Sequence, residues 1–254
     1  MDLGIKDKVA FVAASSKGLG KAVALELAVE GVKVIISGRN AGDLEKTRLE
    51  IKARTSIDPL AITCDLSVSS ERQLAIERAL DVHGNVDILV TNSGGPPAGS
   101  FDDFSDSDWS KAYQQLLPGV IGLIRGFSLG MKQKKWGRIV CITSMAVRQP
   151  VNRLVLSNAI RLSIVGLTKT LSTEMAPSNI TVNNIMPGYT ETERLKELVK
   201  SEDSFRAAMS EIPLGRFAKP DEFAAAVAFL CSDRASYITG TSLPVDGGWI
   251  KGIF

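Results

Sequence analysis

The fold of this chain is decided by residues 9–28, VAFVAASSKGLGKAVALELA, which join an apolar run to an amphipathic segment through a glycine-containing turn. Residues 9–14 are all apolar, which is typical of a strand buried on both faces. Beyond the turn, apolar residues recur at four-residue spacing and predict a helix with one buried face: Leu19, Val23 and Leu27. Gly18 and Gly20 open that helix, where glycines permit close backbone approach and the helix N-terminus offers unpaired N–H groups to a pyrophosphate. This GxG turn predicts a dinucleotide-binding site.

The rest of the chain repeats the alternation of short apolar strands and amphipathic helices. Such an alternation implies right-handed crossovers and a parallel sheet with helices on both faces. We therefore predict an α/β fold over 1–254, a single-domain, Rossmann-like, doubly wound parallel sheet of about seven strands. The predicted strands are 9–14, 33–37, 60–65, 86–92, 138–143, 180–186 and 242–245.

Residues 188–219 interrupt this alternation. The segment is charged, and its pattern predicts two short helices. Insertions after the strand ends of open α/β sheets often cover the ligand crevice, so we expect a small helical lid here. The alternative is a peripheral helical hairpin that takes no part in ligand binding.

Composition excludes several classes of function. The 254 residues include 30 basic and 28 acidic side chains, a balance that gives no global attraction to nucleic acid or to an anionic membrane. The N-terminus lacks a signal-like pattern, and no 18 apolar residues run together, which predicts a soluble cytoplasmic protein. The three cysteines show no CxxC spacing and His83 is the one histidine, so we expect buried thiols and no metal site.

Five motifs, in chain order, resemble those of the short-chain dehydrogenase/reductase superfamily. The nearest resemblance is to β-ketoacyl-carrier-protein reductases and to related sugar and alcohol dehydrogenases. In the first motif, Ala13 and Ala14 stand where the family usually has Thr and Gly, so we expect either a negative φ at Ala14 or strain. The motifs are AASSKGLG at 13–20, CDLS at 64–67, TNSGG at 91–95, MPGYTET at 186–192 and ITGTSLPVDGG at 238–248.

The resemblance implies a nicotinamide cofactor, with Asp65 at the adenine and Thr190 at the carboxamide. NAD users usually place an acid after the second strand, whereas this chain has Arg39 there and Lys17 in the phosphate turn. Both cations suit a 2′-phosphate, so NADP(H) is favoured over NAD(H); the alternative is two solvated cations at a loop mouth. The predicted cofactor-binding residues are Ser15, Ser16, Lys17, Gly18, Leu19, Gly20, Ser37, Arg39, Asp65, Leu66, Asn92, Ser93, Gly94, Arg161, Pro187, Gly188 and Thr190.

The resemblance also locates the expected catalytic groups, and here the chain departs from the family. The run GLTK at 166–169 resembles the one that follows the family's YxxxK, which puts Ser157 at the Tyr position and Arg161 at the Lys position. Ser144 keeps the family's serine, and the usual Asn position falls on Leu116. The predicted catalytic residues are Ser144, Ser157 and Arg161.

A serine hydroxyl is a weaker acid than a phenol, and a guanidinium keeps its proton in proteins. We expect Arg161 to bind the nicotinamide ribose and to stabilise a developing alkoxide. Ser144 and Ser157 would hold the carbonyl oxygen or a water, with water as the proton source. Two alternatives stay open. In the first, Ser157 is merely a tolerated small residue and Arg161 only holds the cofactor. In the second, Tyr189 or Tyr113 donates the proton.

Two functions follow from these residues. The first is an NADP(H)-dependent oxidoreductase that interconverts a small-molecule carbonyl and an alcohol at an atypical site. The second is a non-catalytic NADP(H)-binding sensor or regulatory protein, which the missing Tyr and Asn favour. The resemblance further implies a homotetramer or homodimer, with contacts through helices around 107–130 and 155–175.

Overall fold

A computed structural model describes residues 1–199 and 201–253, and in this part of the chain seven parallel strands form one sheet. In chain order they are β1 (Val9–Val12), β2 (Lys33–Gly38), β3 (Leu60–Thr63), β4 (Ile88–Thr91), β5 (Gly137–Ile142), β6 (Ile180–Pro187) and β7 (Ser242–Val245). The order across the sheet is β3-β2-β1-β4-β5-β6-β7. The predicted doubly wound α/β fold is confirmed.

Helices cover both faces of the sheet. They are α1 (Gly18–Val29), α2 (Ala41–Thr55), α3 (Ser69–His83), α4 (Asp106–Lys134), α5 (Val155–Met175), α6 (Glu193–Leu198), α7 (Glu202–Ser210) and α8 (Pro220–Leu230). Apolar residues of α1, α2 and α8 form one core layer, and those of α3, α4 and α5 form the other. None of the helices in the described residues combines the length and hydropathy that crossing a bilayer requires.

Strand β1 shows why the sequence of a central strand is apolar throughout. Successive side chains of a strand point to opposite faces of the sheet. Ala10 and Val12 therefore pack into the layer of α1 and α8, whereas Val9 and Phe11 pack into the layer of α3, α4 and α5.

Several predicted strands were too long, mostly at their C-terminal ends. The predicted strand 9–14 ends at Val12, 60–65 ends at Thr63, and 86–92 is confined to Ile88–Thr91. Past these ends, the N–H groups of Ala13 and Cys64 still donate to the carbonyls of Val90 and Gly38 at 2.9 Å, and the next residues, Ala14 and Asp65, line the crevice beyond the sheet. The ends of the strands are therefore where the functional residues begin.

Residues 188–219 contain the helices α6 and α7 and pack on a third, small core. That core joins the segment to the start of the chain's C-terminal tail and to the loop after β5, and consists of Met145, Leu195, Ala208, Ile212, Phe217 and Trp249. The segment thus lies over the C-terminal ends of β5 and β6. Its role as a lid stays a prediction.

Candidate functional site

One cavity of about 470 Å³ lies beyond the C-terminal ends of β1, β4, β5 and β6. It is at the point where the strand order reverses, between β1 and β4, which is where open α/β sheets bind their ligands. The structure brings sixteen of the sequence-predicted residues to its wall: Ser16, Lys17, Gly18, Leu19, Arg39, Asp65, Leu66, Asn92, Ser93, Gly94, Ser144, Ser157, Arg161, Pro187, Gly188 and Thr190.

Three predicted cofactor-binding residues, all within the described part of the chain, lie outside that wall: Ser15, Gly20 and Ser37. Ser15 and Ser37 are fully buried. The Ser15 hydroxyl donates to the Val12 carbonyl at 2.7 Å and accepts from the Ser37 backbone N–H at 3.0 Å. The Ser15 hydroxyl thus ties the turn to the backbone of β2, an inward direction that the sequence pattern does not reveal.

The turn between β1 and α1 is built by close backbone packing. Gly18 has φ +59°, the left-handed conformation that glycine adopts without strain. A Cβ on Gly20 would lie 2.3 Å from the carbonyl oxygen of Ala14, so only glycine fits there. Ala14 itself has φ +48°. Of the two expected outcomes at Ala14, the structure shows the strained one.

The N-terminus of α1 is left free to bind an anion. Its N-cap residue, Lys17, makes no side-chain capping bond, and no acidic residue lies in the first turn of Gly18–Val29. The first N–H groups of a helix have no partner within the helix, and the helix dipole adds a partial positive charge there. The wall of the cavity at this point therefore suits a phosphate or pyrophosphate.

At the adenine end predicted from the sequence, Arg39 and Asp65 face each other across 4.0 Å. The Arg39 side chain is 74% exposed and so is available to a ligand. Burial alone would raise the pKa of Asp65, but hydrogen bonds from the Ser67 hydroxyl and N–H, with the Arg39 charge, hold it below its ordinary value. Asp65 is therefore a carboxylate at neutral pH.

The opposite end of the cavity contains a buried cation, Arg161. Its residue is 6% exposed, and its guanidinium makes two long hydrogen bonds of 3.5 Å, to the carbonyls of Ile142 and Ser93. No carboxylate of residues 1–199 and 201–253 lies within ion-pair distance of it. Burial, with the charge of Arg194, lowers its pKa to about 10, which still leaves it protonated at neutral pH.

Ser157 and Ser144 share this end of the cavity with Arg161. Ser157 lies one turn before Arg161 on α5 and is also buried. Ser144 follows β5, and its hydroxyl accepts a hydrogen bond of 3.1 Å from the Ala146 N–H. The sequence-predicted catalytic residues are thus brought together at one wall.

Sequence reasoning missed several polar side chains of this wall, among them Gln115, Arg194 and Glu197. Leu116, the residue at the family's Asn position, is fully buried in α4. Its neighbour Gln115 reaches the cavity instead and donates to the carbonyl of Gly94 at 3.1 Å. The signal available in the sequence was the polar residue Gln115 directly before Leu116, which occupies the family's Asn position.

Of the two alternative proton donors, the structure favours neither. Tyr189 lines the cavity but packs against the rings of Phe217 and Trp249, with centroids 6.0 Å and 6.3 Å away. Burial, with the Glu211 charge, raises its pKa and makes the phenol a poorer acid. Tyr113 is 45% exposed and is not part of the described wall.

Comparison with known proteins agrees with this geometry. The family described as "Enoyl-(Acyl carrier protein) reductase" matches residues 13–250. "Dehydrogenase/reductase SDR family member 4" of Oryctolagus cuniculus is 32% identical over 245 residues, which cover 96% of this chain and 94% of the relative. The chain belongs to the short-chain dehydrogenase/reductase superfamily. As a short-chain dehydrogenase/reductase, it is an oxidoreductase of the general hydride-transfer type.

Two further relatives extend the comparison. The 3-oxoacyl-acyl-carrier-protein reductase of Aquifex aeolicus is 33% identical over 248 residues, covering 98% of this chain and 99% of the relative. The crystal structure of L-sorbose reductase from Gluconobacter frateurii, complexed with NADPH and L-sorbose, has a TM-score of 0.94 and 31% identity, and each chain is covered in full. The resemblance inferred from the motifs is confirmed at the level of the superfamily.

Proposed function

We propose that this short-chain dehydrogenase/reductase is an NADP(H)-dependent enzyme that interconverts a small-molecule carbonyl and an alcohol. One observation carries the proposal: a single cavity joins a free helix N-terminus, flanked by Lys17 and Arg39, to the buried cation of Arg161. The first end suits a phosphorylated dinucleotide, and the second suits an oxygen that gains negative charge.

The residues present fit the cofactor. Phosphates need the N–H groups that the start of α1 offers, and the turn can approach them because Gly18 has no side chain. Arg39 stands where NAD users carry an acid, so a 2′-phosphate would meet a cation there. L-sorbose reductase, which has the same fold, is described in complex with NADPH. A bound nicotinamide would supply or accept the hydride.

Arg161 is the group that distinguishes the chemistry of this site. A fixed, buried positive charge stabilises a developing alkoxide, and it costs no reorganisation when the reaction occurs. Its pKa of about 10 keeps it charged at neutral pH, so it acts as an electrostatic group and donates no proton. Ser144 and Ser157 hold the carbonyl oxygen or a water, and the water supplies the proton.

This arrangement predicts a slow enzyme relative to members with a phenol at the site. A positioned general acid typically contributes a factor of 10²–10⁴ in rate. Ser157 is too weak an acid to replace it. The same departure is the observation that favours the second candidate, a non-catalytic NADP(H)-binding sensor.

The two candidates are separated by measuring binding and turnover on the same preparation. NADPH and NADH affinities are obtained by fluorescence titration, and NADPH oxidation is followed with ketones, aldehydes and imines at high enzyme concentration. We expect tighter binding of NADPH than of NADH, and slow turnover that Arg161→Met abolishes. Arg125→Met, which removes an exposed arginine of α4, is the matched control. Micromolar NADPH binding without turnover of any compound would favour the sensor, and no binding of either nucleotide would overturn both.

A further inference from the structure

A second guanidinium, that of Arg194 on α6, lies on the wall of the same cavity. Its Nη2 donates a hydrogen bond of 2.7 Å to the carbonyl of Pro96. The guanidinium also passes within 3.1 Å of the point where a Cβ on Gly95 would stand, so it lies against the loop that follows β4. Arg194 thereby connects the segment 188–219 to that loop across the cavity.

Arg194 and Arg161 both donate hydrogen bonds to the loop that follows β4. Arg161 donates to the carbonyl of Ser93, and Arg194 donates to that of Pro96, three residues further on. Their charges are close enough for Arg194 to contribute to the lowered pKa of Arg161. Two like charges at one end of a cavity repel each other, and together they favour the binding of an anion between them.

Of the acidic residues on the described cavity wall, only Glu197 forms an ion pair with either arginine. Arg194 has one ion pair there, to Glu197 at 3.1 Å, one turn along α6, and the Glu197 side chain is 61% exposed. Exposed pairs of this kind contribute from nothing to about 1 kcal/mol and are readily exchanged for a better partner. Arg161 has no carboxylate within ion-pair distance in the described residues. Glu197 thus supplies the negative charge at this end of the described wall, and a ligand carboxylate would replace it at Arg194.

The direction of Arg194 separates it from the phosphate end of the cavity. Thr192, two residues earlier, lies beside Gly18, where the carbons of its side chain are 3.7–3.8 Å from the position of a glycine Cβ. Arg194 instead reaches Gly95 and Pro96, beside the loop position that Arg161 contacts. The chain thus places Thr192 towards the cofactor phosphates and Arg194 towards the reacting end.

We propose, resting on the function proposed above, that the substrate is an oxo acid whose carboxylate is bound by Arg194 while its carbonyl lies at Ser144, Ser157 and Arg161. A guanidinium binds a carboxylate through two parallel hydrogen bonds, which fixes its orientation as well as its position. In reduction, the carbonyl carbon receives a hydride from NADPH, its oxygen receives a proton from water, and the products are the hydroxy acid, NADP⁺ and hydroxide. Arg194 is a specificity residue in this scheme.

The first test compares acids with their neutral derivatives. NADPH oxidation is measured with 2-oxohexanoate and 3-oxohexanoate, each against its methyl ester. We expect kcat/KM to favour the acid by about 10–100-fold, the value of one hydrogen-bonded charge pair. Arg194→Met removes this preference, mainly through KM, and Arg194→Lys restores part of it. Arg206→Met, which removes an exposed arginine of α7 in the same segment, keeps the preference.

The second measurement does not need turnover. Hexanoate and hexanamide are titrated against the protein saturated with NADP⁺. We expect hexanoate to bind more tightly than hexanamide in the wild type and in Arg206→Met, and the difference to vanish in Arg194→Met. If this holds while no compound is reduced, the anion site stands and the oxidoreductase proposal fails.

Two results would overturn the inference. One is an equal response to acid and ester, or to hexanoate and hexanamide, in the wild type. The other is a rise in the NADPH Kd of Arg194→Met that accounts for the whole loss of kcat/KM, which would make Arg194 a ligand of the cofactor.

Discussion

Replacing Arg161 with methionine should make the ligand-free protein more stable. The guanidinium is buried with no carboxylate partner among the described residues, and its pKa is about 10, more than two units below that of a free guanidinium. A cation whose pKa falls on folding destabilises the fold at every pH below the folded pKa, and this penalty disappears as the pH rises towards the unfolded pKa. At pH 7.5 the penalty is fully present and amounts to about 3 kcal/mol at 1.36 kcal/mol for each unit of pKa.

The gain from Arg161→Met is smaller than that figure, because two hydrogen bonds are lost. Both are 3.5 Å long, at the limit of a hydrogen bond, so we allow about 1 kcal/mol for them together. Methionine is unbranched and flexible, and it can fill the space of the arginine stem. The free energy of unfolding should therefore rise by about 1–2 kcal/mol, and Tm by about 2–8 °C for a chain of this size.

Thermal and urea unfolding without nucleotide will test this value, with Arg125→Met as the control that should stay within about 0.5 kcal/mol of the wild type. With saturating NADPH, the difference in unfolding free energy between Arg161→Met and the wild type should shrink or change sign. The wild type binds the nucleotide more tightly and is therefore stabilised more by it. A lower unfolding free energy for Arg161→Met than for the wild type would refute the view that the buried charge of Arg161 destabilises the ligand-free fold.

Three other perturbations have defined outcomes. The kcat/KM for reduction should stay level from pH 6 to pH 9 and fall as Arg161 loses its charge near pH 10; a rise there would exclude it as the electrostatic group. Ala14→Gly should remove the strain of the left-handed φ, which destabilises the fold by about 1–2 kcal/mol, and should add about 0.4–1 kcal/mol of conformational entropy to the unfolded state. The net effect should be a slightly higher urea midpoint of unfolding, and a lower midpoint would contradict the strain at Ala14. Arg39→Asp should lower kcat/KM with NADPH at least about tenfold and leave NADH nearly unaffected, which steady-state rates with both nucleotides will decide.

The sequence predicted most of the fold because the signals that specify it are local. Each strand of the sheet is a short apolar run, and each covering helix repeats its apolar residues at helical spacing. The strand ends were less well predicted, since Ala13 and Ala14 are as small and apolar as the strand before them. The departure of Ala14 from the sheet depends on the packing of Gly20 against the turn, which a pattern of hydropathy does not contain.

The residues of the cavity wall were predicted where they are neighbours within a motif or a helix, and they were missed where distant parts of the chain meet. Ser157 and Arg161 are one helical turn apart, so their common wall could be inferred from spacing alone. Arg194 meets Pro96 across 98 positions of sequence, through the placement of α6, and no local pattern encodes that contact. Ser37 was predicted to bind the cofactor because it lies at the end of β2, but its side chain is fully buried and does not reach the cavity wall.

The alternation of Ala10 and Val12 with Val9 and Phe11 limits how this protein can vary in length. An insertion of one residue within β1 would exchange the two sets between the core layers, and it would rotate the phosphate-binding turn away from the crevice. We therefore expect insertions and deletions where the chain has left the sheet, in the loop after β4 and in residues 188–219. These are the two segments that Arg194 joins, and both also contain predicted cofactor-binding residues, among them Gly94 and Thr190. Length changes that alter substrate preference alone would have to fall outside those positions.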